Sequence, residues 1–176
     1  MSEAVVSRKP RIIRANLLEA HFPNSIHGDI LSAVGLDGAN RSTPTSPRDA
    51  AFRARILIAY SYRCAVTGLD IRVSGETVGL DAAHIKWHQA RGPCAEQNGL
   101  ALSVLHHKLF DRGLFTVSVD QRIQVSDQAH GTQGFVELLL RFHNEPLRPP
   151  VRPEHSPNPE FLEWHRKWVF RGHARP

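Results

Sequence analysis

Three polar residues near the middle of the chain have side chains that could together hydrolyse a phosphodiester bond. His84 lies in Ala-Ala-His-Ile, Asn98 follows fourteen residues later in Gln-Asn-Gly-Leu, and His107 comes nine residues after that. Histidine suits the deprotonation of water, because its ordinary pKa lies close to neutrality. Asp111 stands four residues beyond His107, so on a helix the two side chains share a face and could bind one cation. A base beside a cation is what phosphodiester hydrolysis requires.

A strand, a loop and a helix would have to position these residues. The predicted elements are a strand at residues 77–87, a polar loop at 88–97, a second strand near 99–102 and a helix from about Ser103 to Asp111. The first strand carries His84 and the helix carries His107, with Gly113 ending the helix. We expect the two histidine rings to face one cation.

Further elements flank this unit on both sides. They are two short helices within residues 10–36, a linker at 37–46, a helix that begins at Ser46, a hairpin around Asp120–Gln121, a helix at 133–143, an extended proline-rich stretch at 146–157 and a last helix after Asn158. The helix after Ser46 places four apolar residues on one face, namely Phe52, Ile56, Leu57 and Tyr60. Trp164 and Trp168 of the last helix are expected to pack in the core or under a lid. The mixture of elements predicts an α+β fold.

The composition is that of one basic globular domain. The 176 residues can bury one core, and 41% are apolar and 22% charged. A formal charge of +5 and a pI near 9.8 favour a polyanionic partner, most simply nucleic acid. The sequence lacks both a membrane-spanning apolar stretch and a secretory signal, so we expect a cytoplasmic protein with no membrane partner. Eleven histidines against two cysteines indicate that a bound metal would take imidazole, amide and carboxylate donors.

Several runs of sequence resemble the HNH endonucleases, whose ββα-metal core (the His-Me finger) carries a His-Asn-His motif. The central runs are Tyr62-Arg-Cys-Ala-Val-Thr-Gly68, Ala83-His-Ile-Lys-Trp-His88 and Leu105-His-His-Lys-Leu-Phe-Asp-Arg-Gly113. Within that superfamily they are similar to bacterial HNH restriction endonucleases that act on phosphorothioate-modified DNA, and so are the flanks Leu18-Glu-Ala-His-Phe-Pro23 and Phe161-Leu-Glu-Trp-His165. The resemblance covers most of residues 11–171. It implies an α+β fold with a ββα-metal core, flanking helices, and a C-terminal hairpin and helices.

The resemblance also implies roles for the motif residues. His84 would be the general base, Asn98 would brace the loop so that the base points at the phosphate, and His107 would bind the metal. Asp111 would be a further ligand one helical turn on. The implied cofactor is a divalent cation, Mg²⁺ or Mn²⁺ ahead of Ni²⁺ or Zn²⁺, and the implied substrate is DNA, cut by a restriction-type endonuclease. The expected DNA contacts are Arg63, Arg91, His106 and Arg112.

The chain departs from the HNH pattern in two places. Many relatives have Asp or His directly before the base as a metal ligand, where this chain has Ala83. Asp81 lies on the same strand face as Ala83, so we expect it to reach the cation directly or through a water. The Cys-x-x-Cys knuckle of many relatives is broken here in Cys64-Ala-Val-Thr67, so we expect no structural zinc.

The length bears on domain organisation and on the alternatives. The phosphorothioate-directed relatives generally have a separate sulfur-recognition domain, for which 176 residues leave no room. Residues 1–46 are interpreted as an N-terminal helical segment and linker, a remnant of such a domain, and residues 47–176 as the nuclease domain. A homodimer would let two such domains cut both DNA strands. The rival hypothesis is a non-catalytic DNA-binding or assembly module that retains the fold. A structural zinc module is a third, disfavoured because the two cysteines lie thirty residues apart.

Overall fold

Helices and two-stranded sheets build an α+β fold, which confirms the predicted fold class. The structure is a computed structural model that describes residues 17–27, 30, 31, 34 and 47–176. From residue 47 on, its α-helices are α1 (Pro47–Ala59), α2 (Val104–Asp111), α3 (Gln133–Leu138) and α4 (Pro159–Trp168). Within the same residues the strands form antiparallel hairpins, which are β1 (Ile71–Val73) with β2 (Glu76–Val78), β3 (Leu80–His84) with β4 (Gly99–Ser103), and β5 (Phe115–Val117) with β6 (Ile123–Val125).

Helix α1 forms one wall of the core. Phe52, Ile56 and Leu57 recur at helical spacing and are at most 2% exposed, as predicted. Tyr60, directly after the helix, is buried as well. The apolar face therefore lies against hairpin β3–β4, which α1 contacts on both strands.

Strands β3 and β4 and helix α2 together form a ββα unit. The strands pair from Leu80 opposite Ser103 to His84 opposite Gly99. Ser103 ends β4 and caps α2, because its Oγ accepts a hydrogen bond from the backbone N–H of His106 at 3.2 Å. Gly113 follows the helix with φ +70°, the left-handed conformation predicted for a helix end. The second strand and the helix of this unit confirm the predicted elements.

The predicted strand over residues 77–87 is wrong in its extent. Gly79 has φ +73° and turns the chain, so β2 ends before it and β3 begins after it. Strand β2 pairs with β1 in a hairpin that the sequence analysis missed. Ser74 and Gly75 form its turn, and both have positive φ. Two short strands of different sheets thus occupy the span that was predicted as one strand.

The C-terminal elements close the core around α2. The predicted hairpin is β5–β6, and Gln121 takes the positive φ that its turn needs. The helix predicted at 133–143 is shorter, because the backbone breaks at Leu139 (φ −137°, ψ −56°) and continues as a 3-10 turn, Leu140–Phe142. The extended stretch at 146–157 contains the 3-10 turn Pro153–His155. Asn158 caps α4 as predicted, with its Oδ1 accepting from the backbone N–H of Glu160 at 2.8 Å.

The two tryptophans of α4 have different surroundings. Trp164 packs against Trp87, with ring centroids 5.9 Å apart and planes at 63°. Trp168 is 66% exposed, because Leu162 and His165 form the buried face of the helix. The prediction that both rings pack in the core or under a lid is therefore wrong for Trp168.

The N-terminal predictions fall mostly outside the described residues, including the linker at 37–46. Residues 17–21 are helical, a 3-10 turn spans Asn24–Ile26, and the side chain of Ile26 is buried where this turn meets α2. The boundary near residue 46 stays a prediction. None of the helices in the described part of the chain has the length and apolar character needed to cross a bilayer.

Candidate active site

His107 has a carboxylate at each nitrogen of its ring. Its Nδ1 lies 3.0 Å from Oδ2 of Asp81 in strand β3, and its Nε2 lies 3.1 Å from Oδ2 of Asp111 one turn along α2. Packing of the helix on the hairpin creates the first contact, and the i, i+4 spacing creates the second. The structure thus brings together the three residues predicted as metal ligands.

The two carboxylates set the protonation of His107. Burial favours the neutral ring, but the charges and hydrogen bonds of Asp111 and Asp81 outweigh it and raise the pKa of His107 to about 10. Burial also opposes the ionisation of Asp81, yet His107 and Arg53 hold the pKa of Asp81 below its ordinary value. In the absence of a cation, His107 is therefore a positively charged ring at neutral pH.

The two carboxylates differ in exposure and in their other partners. The side chain of Asp81 is 41% exposed, and Nε of Arg53 lies 3.6 Å from its Oδ1. The side chain of Asp111 is 1% exposed, and the hydroxyl of Ser25 donates a hydrogen bond to it. Solvent and a substrate can therefore reach Asp81, whereas Asp111 is enclosed.

Asn98 ties together the two ends of the loop that follows β3. Its Oδ1 accepts from the backbone N–H of Lys86 at 2.8 Å, and its Nδ2 donates to the carbonyls of Lys86 at 3.0 Å and Pro93 at 2.9 Å. The side chain is fully buried. Gly92 lies so close to this junction that a Cβ there would be 1.8 Å from the carbonyl oxygen of Lys86. An asparagine and a glycine thus fix the loop two residues after His84.

His84 ends strand β3 on the side of helix α1. Its ring stacks on Phe52, with centroids 3.9 Å apart and 15° between the planes. Its Nε2 lies 3.5 Å from Sγ of Cys94. Gly99 pairs with His84 across the hairpin, and a Cβ at that glycine would lie 2.2 Å from Cδ1 of Ile56. The glycine therefore lets α1 approach closely enough to hold the imidazole from one side.

His84 projects from the face of hairpin β3–β4 that packs on α1, whereas His107, on α2, lies against the other face. Side chains alternate along a strand, so Asp81 points toward α2 and His84 toward α1. The three-residue step between them corresponds to about 10 Å along the strand. The expectation that both rings face one cation stays a prediction. Among the described residues β3 pairs with β4 alone, and Nη2 of Arg53 donates to the carbonyl of Leu80 in β3 at 2.8 Å.

The predicted DNA contacts divide into exposed and buried residues. Arg63, Arg91 and Arg112 are exposed, in a loop, in a left-handed turn and at the end of α2 respectively. His106 is only 2% exposed, with Nδ1 at the Ser103 cap and Nε2 donating to the carbonyl of Leu138 at 2.8 Å. Burial lowers the pKa of His106, so its ring is neutral as well as inaccessible. The prediction that His106 contacts DNA disagrees with this placement.

The sequence analysis did not predict three of the residues beside the site. The helical spacing of Phe52 indicated burial but not a stack on His84. Cys94 lies in a loop and Ser25 in the short 3-10 turn Asn24–Ile26, and neither segment has a local period that indicates which distant side chain a residue will meet. These contacts depend on how separate elements pack.

The ββα unit with this set of side chains agrees with a family comparison. Residues 64–118 match the family model described as HNH endonuclease, and they include His84, Asn98, His107 and Asp111. This region is an HNH endonuclease domain.

One further similarity extends over a longer stretch of the chain. Among solved structures the chain is similar to one described as the modification-dependent TagI restriction endonuclease, with a TM-score of 0.49 and 22% identity. The match covers 75% of this chain and 42% of that one, so this chain spans less than half the length of that protein. No curated protein sequence matches this chain closely enough to indicate a relationship.

The donors of the HNH domain fit a divalent cation in part. In the described residues, no three His, Cys, Asp or Glu side chains converge on one metal position. Asp81 and Asp111 are at different nitrogens of the His107 ring, which separates them. Each nitrogen with its carboxylate still offers a pair of protein donors, and Mg²⁺ commonly takes one or two carboxylates plus phosphate oxygens and water. The donor types therefore fit a cation that binds together with a phosphate substrate.

Proposed function

We propose that this chain is a divalent-metal-dependent endonuclease that hydrolyses phosphodiester bonds of DNA. One observation carries the proposal above all others. The HNH domain holds His107 between an exposed and an enclosed carboxylate, while Asn98 fixes the loop beside His84. A cation site and a braced base within one ββα unit are the two parts that this reaction needs.

His84 is the general base in this proposal. The imidazole would take a proton from a water molecule as the water oxygen attacks phosphorus and the bond from phosphorus to the leaving 3′ oxygen breaks. The Phe52 stack and the Cys94 contact limit rotation of the ring, and Asn98 limits movement of the backbone after it. A base held in one orientation needs less ordering when the substrate arrives.

Asp81 and Nδ1 of His107 are the protein ligands that we propose for the cation. They form the exposed pair of donors. Asp111 would accept a hydrogen bond from Nε2–H of His107 and so select the tautomer whose Nδ1 can bind a metal. Asp111 then orients the ligand, in place of the ligand role expected from the sequence. When bound, the cation would supply positive charge to the phosphate and the leaving oxygen.

The scissile phosphate would lie along the open edge of β3. In this proposal His84 would act at that edge from the α1 face, and Asp81 with His107 would act there from the α2 face. Arg53 contacts both Asp81 and the carbonyl of Leu80 there, which adds positive charge where a phosphate would enter. The edge therefore supports a single substrate position that is accessible to groups on both faces.

DNA is the substrate that the charge of the chain favours. The net charge is +5, and the exposed arginines at 63, 91 and 112 lie before, within and after the motif. Such residues bind the backbone without reading sequence. Affinity for DNA should accordingly fall as salt rises.

A plasmid assay tests the proposal. Supercoiled plasmid incubated with the protein and Mg²⁺ or Mn²⁺ should be converted to the nicked form, and EDTA should stop the conversion. Plasmid that stays supercoiled with Mg²⁺, Mn²⁺, Ni²⁺ and Zn²⁺ alike would contradict an endonuclease.

A non-catalytic DNA-binding module is the second candidate. It is favoured by Ala83, which stands where many HNH enzymes have a ligand, and by the lack of a three-donor cluster among the described residues. It predicts a plasmid mobility shift in EDTA without nicking in any of the four metals. The same experiment therefore separates the two functions.

Restriction of phosphorothioate-modified DNA is the finer form of the proposal. It is supported by the sequence resemblance around Tyr62–Gly68 and Leu105–Gly113. Plain and phosphorothioate plasmids of one sequence should be cut at different rates if the preference resides in this chain. Equal cutting rates would be consistent with an endonuclease but would reject a preference for phosphorothioate-modified DNA.

A further inference from the structure

An aromatic row leads from the loop of the proposed active site to the surface. Trp87 lies in this loop, three residues after His84, and packs edge to face against Trp164 of helix α4. Trp168 follows Trp164 by four residues, so the two share one side of α4 about a turn apart. Trp168 is 66% exposed. The row therefore begins beside the general base and ends on an accessible ring.

One cation lies over the exposed end of this row, and further cations lie in the adjoining segments. Nζ of Lys167 lies 5.0 Å from the centroid of the Trp168 ring. The backbone N–H of Arg171 donates to the carbonyl of Gly113 at 3.0 Å, which brings the chain after α4 against the end of α2. The exposed cations in these two segments are Arg112, Arg166, Lys167 and Arg171. The exposed acids near these segments are Glu163, one turn before Lys167 on α4, and Asp127, which accepts from the backbone N–H of His173 at 3.0 Å. The balance favours a polyanion.

An accessible tryptophan among cations has a specific use in nucleic-acid binding. Every base has a flat π-face that can stack on an aromatic ring, and cations hold the phosphates on either side of it. In an intact duplex both faces of each base are already stacked on its neighbours. The ring can therefore take a base only where the strand is unpaired.

We propose that Trp168, with Lys167 and its neighbouring cations, is a stacking contact for an unpaired base of a DNA strand bound at the active site. The inference rests on the proposed function, because it takes DNA to be the ligand. It adds a contact outside the catalytic residues and a preference for single-stranded over fully paired DNA.

Binding in EDTA tests this contact without cleavage. Fluorescence anisotropy would compare a single-stranded oligonucleotide with a duplex of the same sequence. Trp168→Ala should weaken single-strand binding by about 5- to 150-fold, the range for one base–aromatic stack, and should weaken duplex binding far less. Trp168→Phe, which keeps an aromatic face, should recover much of the loss.

Val151→Ala is the matched control, because Val151 is also an apolar residue 66% exposed and lies outside the aromatic row. It should leave both affinities unchanged. Thermal unfolding of each variant should match that of the parent, since both side chains lie on the surface. Unchanged single-strand affinity in Trp168→Ala, or an equal loss for single strand and duplex, would overturn the stacking contact.

Salt dependence separates the cations from the ring. Lys167→Ala should reduce the slope of log affinity against log salt by about 0.7 for a single strand, whereas Trp168→Ala should leave it unchanged. An unchanged slope in Lys167→Ala would remove the cation from the contact. If the plasmid assay fails while these binding differences hold, the endonuclease is rejected and the contact stands. If plasmid is nicked while the binding differences are absent, only the stacking contact is rejected.

Discussion

The two faces of hairpin β3–β4 place two histidines in opposite surroundings. On the α2 face, His107 lies between Asp81 and Asp111, which raise its pKa to about 10 against the effect of burial. On the α1 face, His84 stacks on the ring of Phe52 and contacts the thiol of Cys94. The same residue type thus meets two carboxylates on one side and an aromatic ring with a thiol on the other.

This difference supports the roles proposed above. A general base must be unprotonated to accept a proton, and a ring between two carboxylates remains protonated at neutral pH. The same carboxylates attract a cation, which can take the place of the proton. His107 therefore suits metal binding, and His84 suits the deprotonation of water.

The largest effect is expected from removing the base. His84→Ala should lower the rate of plasmid nicking by about 10²–10⁴-fold while DNA binding is kept, because proton transfer is lost and the cation site is not. His130→Ala is the control, since His130 is exposed and outside the hairpin. Nicking at the parental rate by His84→Ala would end the assignment of the base to the α1 face.

The next effect separates the two carboxylates of the α2 face. Asp81→Asn should weaken Mn²⁺ binding by at least about 100-fold, whereas Asp111→Asn should weaken it by about 10-fold, near the lower limit for an orienting partner. Calorimetric titration of each variant with Mn²⁺ measures both. A larger loss for Asp111→Asn would reverse the assignment of exposed ligand and enclosed orienting residue.

A stability measurement tests whether Asn98 braces the loop that joins strands β3 and β4. Asn98→Ala removes three hydrogen bonds at a fully buried position and leaves backbone groups of Lys86 and Pro93 without them. The free energy of unfolding should fall by about 1–3 kcal/mol, read from chemical denaturation. Gln97→Ala, next to it, removes one exposed hydrogen bond to the carbonyl of Glu154 and should change the free energy by less than about 0.5 kcal/mol. Equal losses in the two variants would show that Asn98 does not brace the loop.

The raised pKa of His107 makes metal affinity depend on pH. The pKa of about 10 lies above the ordinary value of 6.5, so below pH 10 the metal-free ring is protonated. A cation that binds Nδ1 must displace this proton, so affinity should rise by up to about tenfold for each pH unit between 6 and 8. Titrations in buffers of different ionisation enthalpy would count the proton released. An affinity independent of pH, with no proton released, would mean that His107 is not a ligand.

The smallest effect is expected at the thiol beside the base. Cys94→Ala should lower the nicking rate by about 2- to 10-fold, the size of one modest hydrogen bond, because the orientation of His84 becomes looser. Cys94→Ser keeps a polar group there and should recover most of the rate. The pH–rate profile should shift with Cys94→Ala if the thiol acts through the imidazole. An unchanged rate and profile would leave Cys94 as a packing residue only.

Much of the fold could be predicted from local pattern. Helix α1 was expected from the spacing of Phe52 and Ile56, helix α2 from its ends at Ser103 and Gly113, and the β5–β6 hairpin from alternation on both sides of its turn. The β1–β2 hairpin was not separated from β3, because the local sequence does not show that Gly79 takes a positive φ and turns the chain. Local sequence indicates the type of an element through its hydrophobic period, but it indicates less clearly where the chain turns.

The candidate site divides in the same way. The i, i+4 contact of His107 with Asp111 follows from helix geometry alone, and the sequence predicted it. The burial of His106 against Leu138 and the enclosure of Asp111 by Ser25 depend on residues 32 and 86 positions away in the chain, respectively. No window of sequence contains both partners of such a contact.

By itself, the sequence determined which side chains are available, His84, Asn98, His107 and their acidic neighbours, and in which order a strand, a loop and a helix present them. Only the tertiary structure decided which face of the hairpin each histidine occupies and which charges surround it. The physical reason is that alternation along a strand sets the direction of each side chain, whereas its pKa and its accessibility depend on what packs against that face. Here α1 places an aromatic ring and α2 places a carboxylate, and the chemistry divides between them.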